Sequence, residues 1–178
     1  MGFVRRKKLK LRRLIGGILA ISYYAVPAML LAPPQLAQRQ WSVVHDRGRK
    51  TMPLLALVTS ILYLSLSLAY DRPAARGMPF LWNRSSVYLA SAGLTIAMMP
   101  YAGLFMWGNI DGLHKAGPAL EKCKDRSGLE TLKVKGKTTK QLLDQWGVLN
   151  LGRALLTGMG FVLGMWGSMM PYKKWSRW

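Results

Sequence analysis

The chain has 178 residues, of which 51% are hydrophobic, and it carries a formal net charge of +19. The hydrophobic residues are concentrated in four runs instead of recurring along amphipathic helices, which argues against a soluble helical bundle. Most of the charge lies outside these runs, in the loops and tails, and no helix-turn-helix, zinc-finger or RNA-binding sheet motif occurs. We therefore expect the basic segments to contact anionic lipid headgroups, or an acidic partner protein, and not nucleic acid.

Each apolar run has the length of a membrane-spanning helix, about 20 residues for a hydrocarbon core of about 30 Å. The runs predict an all-α fold, an integral membrane four-helix bundle without a separate soluble domain. A basic tail over residues 1–13 precedes the membrane domain over 14–170, and a basic, aromatic tail over 171–178 follows it. The predicted spans are Leu14–Ala32, Pro53–Tyr70, Ser86–Gly108 and Leu149–Met170.

The N-terminal tail contains seven Lys or Arg residues and no acidic residue. A signal peptide would have a similar beginning, but this apolar run is long and lacks a small-residue cleavage pattern, so we interpret it as an uncleaved first span. The dense basic cluster favours cytoplasmic termini. We expect a multi-pass protein of the endoplasmic reticulum or another endomembrane, with a mitochondrial membrane as the alternative because an acid-free basic terminus also fits mitochondrial import.

The segments Pro33–Met52 and Asn109–Val148 are predicted to be loops on one membrane face. The second is rich in lysine around Gly136, and part of it resembles the end of a phosphate-binding loop. That motif needs glycine where Thr131 stands, so we predict a solvated basic turn instead. Its lysines are Lys133, Lys135, Lys137 and Lys140.

The fourth span carries a polar stripe that includes Arg153. A cation inside an apolar helix is costly and usually faces a bundle interior, a ligand or an interface. No Asp or Glu lies within any predicted span, so Arg153 has no obvious counter-ion. Two interpretations remain: a pocket at the mouth of the bundle, or helix packing with Arg153 extended to the headgroups. The stripe falls within about 80° of the helix and consists of Trp146, Asn150, Arg153, Thr157, Gly160 and Gly164.

Connectivity brings several polar residues to the membrane face where the second and fourth spans begin. Among them, His45 is a candidate base because the cations beside it, Arg47 and Arg49, lower a histidine pKa, although a surface histidine is the commoner outcome. The histidines and nearby carboxylates match no metal motif, and the single cysteine excludes an intrachain disulfide. The gathered residues are Trp41, His45, Asp46, Asn109, Asp111, His114, Asn150 and Arg153.

Short motifs in three regions carry a family resemblance. They are Arg47-Gly48 with Pro53-Leu54-Leu55-Ala56-Leu57; Pro100, Asn109 and Leu113; and Trp146, Asn150 and Arg153-Ala154-Leu155-Leu156. Over roughly Leu14 to Met170, the chain resembles the anthrone oxygenase-like family of small, mostly four-helix membrane proteins. Fungal members are associated with the oxidation of anthrones to anthraquinones in polyketide pathways, without a metal or organic cofactor.

This resemblance implies an apolar slot for a planar phenolic substrate, together with a base and donors that stabilise an anion. We expect His45 and Arg153 to be catalytic, and Asn109, Trp146 and Asn150 to bind the substrate. The Trp107-Gly108-Asn109 segment and the lysine-rich loop depart from the family pattern. The alternative is therefore a non-catalytic accessory subunit that binds lipids or an acidic protein, whereas a transporter would need a repeat or an acidic coupling residue.

Overall fold

The computed structural model describes Gly17 and residues 19–70, 79–123 and 126–170. Nearly all of them are helical, which confirms the all-α class. A short 3-10 turn, Phe80–Trp82, precedes α3. The elements in chain order are α1 (Ile21–Leu30), α2 (Pro34–Tyr70), α3 (Arg84–Lys122), α4 (Arg126–Thr131), β1 (Lys133–Val134), β2 (Lys137–Thr138) and α5 (Thr139–Met169).

The helices α2 and α3 form an antiparallel pair that is joined toward both of its ends. Side chains of α2 donate hydrogen bonds to main-chain carbonyls of α3 at both ends of the pair, which sets the register of the two helices. These bonds are Gln35 to Leu120 (3.0 Å), Gln38 to Leu113 (3.3 Å), Ser60 to Ala92 (2.9 Å) and Ser67 to Ser85 (2.9 Å).

The helix α5 packs against α3 through glycine positions, as expected for a G-x-x-x-G pair. A Cβ on Gly160 would lie only 2.8 Å from Thr95 Oγ1 and 3.1 Å from the carbonyl oxygen of Ser91, so α3 approaches it closely. Gly164 instead accommodates the hydroxyl of Tyr63 on α2. The second glycine therefore accepts a side chain and not a helix backbone.

Two predicted loops are wrong because they are largely helical. Residues 34–52 form the first half of α2, and residues 109–122 continue α3. With 37 residues, α2 is about 55 Å long at 1.5 Å per residue, well beyond the hydrocarbon core of about 30 Å. The polar residues thus lie on helical extensions of the apolar segments. Pro53, at which the second predicted span begins, lies inside α2.

The helix α3 is irregular around Pro100. Its α-helical course is interrupted at Ala97, and a π-helical segment, Ala102–Met106, follows the proline. Proline cannot donate the main-chain hydrogen bond of a regular helix, so a local change of helical winding accommodates it. A second π-helical segment, Ile21–Ala25, begins α1.

The lysine-rich segment forms a two-residue hairpin between β1 and β2. Lys135 and Gly136 have φ angles of 52° and 77°, the left-handed conformation that such a turn requires. Thr138 then caps α5, since its hydroxyl accepts from the main-chain N–H of Gln141. The predicted basic turn is therefore confirmed as a turn that leads into α5.

Three helices, α2, α3 and α5, are long and apolar enough to cross a membrane. The helix α1 is apolar but has only ten residues, and the predicted first span, 14–32, extends into residues outside those described. Both predicted tails, 1–13 and 171–178, also lie outside them.

Replacing Gly160 with alanine should destabilise the fold by roughly 1–3 kcal/mol, because the added methyl group would be forced against α3. The matched control is Gly158→Ala, where a Cβ would meet no atom within 4 Å. That change should be neutral or stabilising by about 0.5–1 kcal/mol, since alanine is the better helix former. Thermal unfolding of the purified proteins in one detergent measures both. Equal effects would contradict the close contact between α5 and α3.

Candidate active site

A cavity of about 430 Å³ lies between α1, α2, α3 and α5. It occupies the level where α2 and α5 pass from their polar extensions into their apolar segments. Apolar side chains and glycines supply most of its wall. Its principal polar and aromatic lining residues are His45, Asp111, His114, Trp146, Asn150 and Arg153. The predicted gathering of polar residues at this end is confirmed, although they lie on helices and not in loops.

The stripe on α5 faces the interior, as its spacing predicts. Asn150 is 3% exposed and Thr157 is fully buried. The amide nitrogen of Asn150 donates to Ser22 Oγ of α1 at 3.0 Å, and its Oδ1 accepts from Arg153 Nη1 at 3.4 Å. Asn150 therefore connects α1 to the guanidinium group and holds that group at the cavity wall.

Arg153 is partly buried and lines the cavity. Its Nε is buried and has no hydrogen-bond partner among the described residues, and no carboxylate of those residues forms an ion pair with it. The neighbouring Gly152 leaves space for the hydroxyl of Tyr101, which a side chain at that position would occupy. Arg153 thus presents a positive charge to the cavity without a counter-ion from this part of the chain.

Two histidines and two tryptophans form an aromatic cluster beside the cavity. The ring of His45 stacks on Trp41 at 4.9 Å between centroids, with 17° between the planes. His114 meets both rings edge-on, at 5.1 Å from Trp41 and 5.4 Å from His45. Trp146 contacts Trp41 edge-on at 6.1 Å. The cluster brings His45 of α2 and His114 of α3 to one wall.

His45 is not a surface histidine, because its side chain is only 11% exposed. Its Nδ1 is buried without a hydrogen-bond partner in the described part of the chain, and Asp46 Oδ1 at 3.6 Å is too distant to accept a proper hydrogen bond. His45 lies outside the predicted span that begins at Pro53. Burial lowers the pKa of His45, and His114 and Arg49 lower it further, whereas Asp46 raises it. The lowered pKa favours the neutral form of the imidazole.

Asn109, which we predicted to orient a substrate, is not among the residues that line the cavity. Its amide nitrogen donates to the carbonyl oxygen of Leu142 at 3.0 Å and to Gln145 Oε1 at 3.3 Å. It is 6% exposed and joins α3 to α5. The placement therefore gives Asn109 a helix-packing contact and does not support the expected contact with substrate.

The sequence placed Asp111 and His114 at this end of the molecule without giving either a role, and it did not place Trp107 there. The signal was present: together with Gly103, they recur every three or four residues, so they share one face of α3. Asp111 binds Lys115 at 2.9 Å and Lys135 at 2.7 Å. These hydrogen bonds hold the pKa of Asp111 below its ordinary value, and the bond from Lys135 has the larger effect. No group of three or more His, Cys, Asp or Glu residues in the described ranges could hold a metal ion.

This chain belongs to the anthrone oxygenase family, whose sequence profile matches residues 41–163, from Trp41 on α2 through the α5 stripe. The family resemblance is thereby confirmed. The matched region contains His45, His114, Asn150 and Arg153, so the cavity is built mainly from the part of the chain that defines the family.

Curated relatives are similar over most of the chain. Monooxygenase hypC of Dothistroma septosporum is 28% identical over 155 residues, which cover 85% of this chain and 75% of that protein. Noranthrone monooxygenase of Aspergillus flavus is 28% identical over 156 residues, 86% of this chain and 67% of that protein. Anthrone oxygenase tpcL of Aspergillus fumigatus is 26% identical over 156 residues, 85% of this chain and 84% of that protein. No solved structure matches this chain.

The electrostatic environment of His45 predicts opposite effects of two substitutions. Arg49→Gln removes a cation and should raise the pKa of His45, whereas Asp46→Asn removes an anion and should lower it further. NMR titration of the histidine ring protons measures both, with His45→Gln used to assign the resonance. Equal pKa values in the wild type and both variants would contradict the described position of His45 between these charges.

Proposed function

We propose that this protein is a membrane-embedded oxygenase that oxidises a planar phenolic, anthrone-type substrate with dioxygen. The observation that carries the proposal is the guanidinium group of Arg153, which faces a cavity of about 430 Å³ with no carboxylate partner among the described residues. A cation in this position favours a substrate that becomes an anion during the reaction. The names of the curated relatives support the same reaction class.

The fold proposed for this function is a four-span bundle, with α1 as part of the first span. Large apolar side chains are exposed along the apolar segments of the long helices, for example Leu155 and Val162 of α5, each 65% exposed. Lipid would cover these exposed apolar side chains. The apolar segment of α2, from Pro53 to Tyr70, carries no charged side chain. The basic segments would contact anionic headgroups. The proposed location is the endoplasmic reticulum or another endomembrane, with a mitochondrial membrane as the alternative.

The cavity suits a flat, mostly apolar molecule. Its volume falls in the range of about 300–1,000 Å³ that small-molecule sites occupy. Ile21, Met52 and Ala102 contribute apolar wall, and the aromatic ring of Trp146 offers a surface for stacking. The polar lining residues come from three helices and include Arg153 on α5 and His45 with the second cation Arg49 on α2. Such an arrangement orients a ring system that has a phenolic oxygen at one side and a reactive carbon at the other.

In the proposed reaction, neutral His45 removes a proton from the doubly benzylic carbon of the anthrone. The electron pair delocalises onto the carbonyl oxygen of the anthrone, and Arg153, which Asn150 positions, stabilises that negative charge. The anion transfers an electron to dioxygen, and the carbon radical and superoxide combine into a carbon-bound peroxide anion. The protonated His45 returns its proton to this anion, which gives the hydroperoxide and restores the neutral base. Loss of the second benzylic proton and cleavage of the O–O bond then give the ketone and water. One dioxygen is consumed for each anthraquinone, and the chemistry requires no metal or organic cofactor.

The alternative is a non-catalytic accessory subunit that binds lipids or an acidic protein. The observation in its favour is the cluster of lysines in the hairpin that precedes α5, including Lys133 and Lys137. Such a role does not require an uncompensated charge inside the bundle. The two functions therefore differ in how well they tolerate the loss of Arg153.

Oxygen uptake with a simple anthrone tests the proposed function. Arg153→Gln should lower kcat/KM, after subtraction of spontaneous oxidation, by about 100-fold or more because the developing anion loses its cation. Arg39→Gln is the matched control, since Arg39 is exposed on the polar extension of α2 and pairs only with Glu121 at 3.4 Å in the described structure. Wild-type uptake no faster than the spontaneous rate, or equal uptake by both variants, would contradict the proposal.

Membrane embedding is tested with a matched pair of exposed valines on α5. Val162 is 65% exposed near the middle of the predicted span, and Val148 is 62% exposed just before it begins. Lysine at Val162 should disfavour insertion by about 2.5–3.5 kcal/mol, whereas lysine at Val148 should be tolerated because it reaches the headgroups. The fraction of protein resistant to carbonate extraction from membranes measures this. Equal extraction of the two variants would oppose a span at this position.

A further inference from the structure

We propose that the planar substrate enters the cavity sideways, between α2 and α3, through an entrance framed by Gly48, Gly103 and Trp107. This inference rests on the proposed function, because it concerns access to the same cavity. It assigns a role in substrate selection to residues that touch neither of the proposed reacting groups.

One face of each helix borders the entrance. The lining positions of α2 recur at intervals of three and four residues, and those of α3 do the same, so each set lies on a single helical face. The two faces are opposite each other in the antiparallel pair, since the hydrogen bonds from Gln38 to Leu113 and from Ser60 to Ala92 bracket them. These faces are Gly48, Met52 and Pro53 on α2 and Gly103, Trp107 and Ile110 on α3.

Between those two hydrogen bonds, the helices leave a gap. No other hydrogen bond joins α2 to α3 in this interval among the described residues. A Cβ on Gly48 or on Gly103 would meet no atom within 4 Å. Both glycines line the cavity, so the space beside them is continuous with it. The interval also contains the π-helical segment Ala102–Met106, where α3 departs from regular winding.

The outer edge of this gap is exposed, and it carries the aromatic surface of Trp107 on α3 and the cation Arg49 on α2. Trp107 is 71% exposed although it lines the cavity, which places it at the boundary between cavity and surroundings. It lies at the end of the predicted span Ser86–Gly108, and tryptophan is enriched at such membrane–water interfaces. A flat, apolar phenol concentrates in the same layer of the bilayer. The entrance therefore opens where the substrate accumulates.

The polar rim of the cavity offers a poorer route. Asp111 lies on that rim, and both Lys115 and Lys135 bind its Oδ2, at 2.9 Å and 2.7 Å. Lys135 belongs to the hairpin turn, so this contact holds the turn against the cavity edge. A ring system that entered there would have to pass a cluster of hydrated charges, which is unfavourable for an apolar molecule.

Stopped-flow quenching of tryptophan fluorescence by anthraquinone, a product analogue, tests the entrance. Gly103→Phe should narrow it and lower both the association and the dissociation rate constants by about tenfold or more, with little change in Kd. Trp107→Ala should widen it and raise both rate constants, again with little change in Kd. The matched controls are Gly108→Phe, at a glycine that has equal space but does not line the cavity, and Phe105→Ala, at a side chain 61% exposed.

The outcomes separate the entrance from the proposed function. Parallel changes in the two rate constants, absent from both controls, support the entrance. If the wild type binds anthraquinone and its rate constants are unchanged in Gly103→Phe and Trp107→Ala, the entrance is wrong and the proposed function stands. Weaker binding through faster dissociation alone would make Gly103 part of the binding surface and overturn its role in access. Absence of wild-type binding would overturn both proposals.

Discussion

The positive charge of Arg153 is the constraint on which this end of the bundle depends. It lies on an apolar helix, and the described residues offer it no carboxylate. A cation that is neither hydrated nor paired is costly in such an environment, so its retention requires either surrounding dipoles or a ligand that supplies negative charge. Asn150 provides one dipole, at 3.4 Å, and the cavity provides space for the ligand.

The packing around Arg153 follows from that position. The amide of Asn150 accepts from the guanidinium group and donates to Ser22, so the same residue that orients the charge also joins α1 to α5. Gly152 leaves room for Tyr101 of α3 beside the arginine. On α2, the ring of His45 stacks on Trp41 and lines the same cavity. The guanidinium group and the imidazole thus belong to two different helices that border one space with mainly apolar walls.

The sequence predicted the α5 stripe because a helical repeat is local: positions three and four apart must share a face. It also predicted which end of the bundle would hold the polar residues, since connectivity alone decides where each span begins. It did not predict that residues 34–52 are helical, because Gly48, Pro53 and a run of charged residues have the composition of a loop. Contacts with α3, such as the bond from Gln38 to Leu113, favour a continuous helix there.

The sequence did not predict the residue roles that depend on partners far away along the chain. Asn109 looked like a substrate contact, but its amide bonds to Leu142, 33 positions away along the chain. Connectivity placed His114 at the same face as His45, but their ring contact at 5.4 Å depends on the continuation of α3 past the predicted span. Local periodicity therefore determined the faces of the helices, while the pairing of those faces decided which side chains reach the cavity.

The central claim is that the cavity stabilises a bound anion, and an absorbance titration of bound 2-hydroxyanthraquinone tests it most directly. The phenol and the phenolate of this compound differ in visible colour, so its pKa can be followed on the protein. If Arg153 stabilises the anion, the phenol pKa should be lower by about 1 or more on the wild-type protein than in empty detergent micelles, equivalent to about 1.4 kcal/mol. The difference should disappear in Arg153→Gln. An unchanged or raised phenol pKa on the wild-type protein would contradict the account.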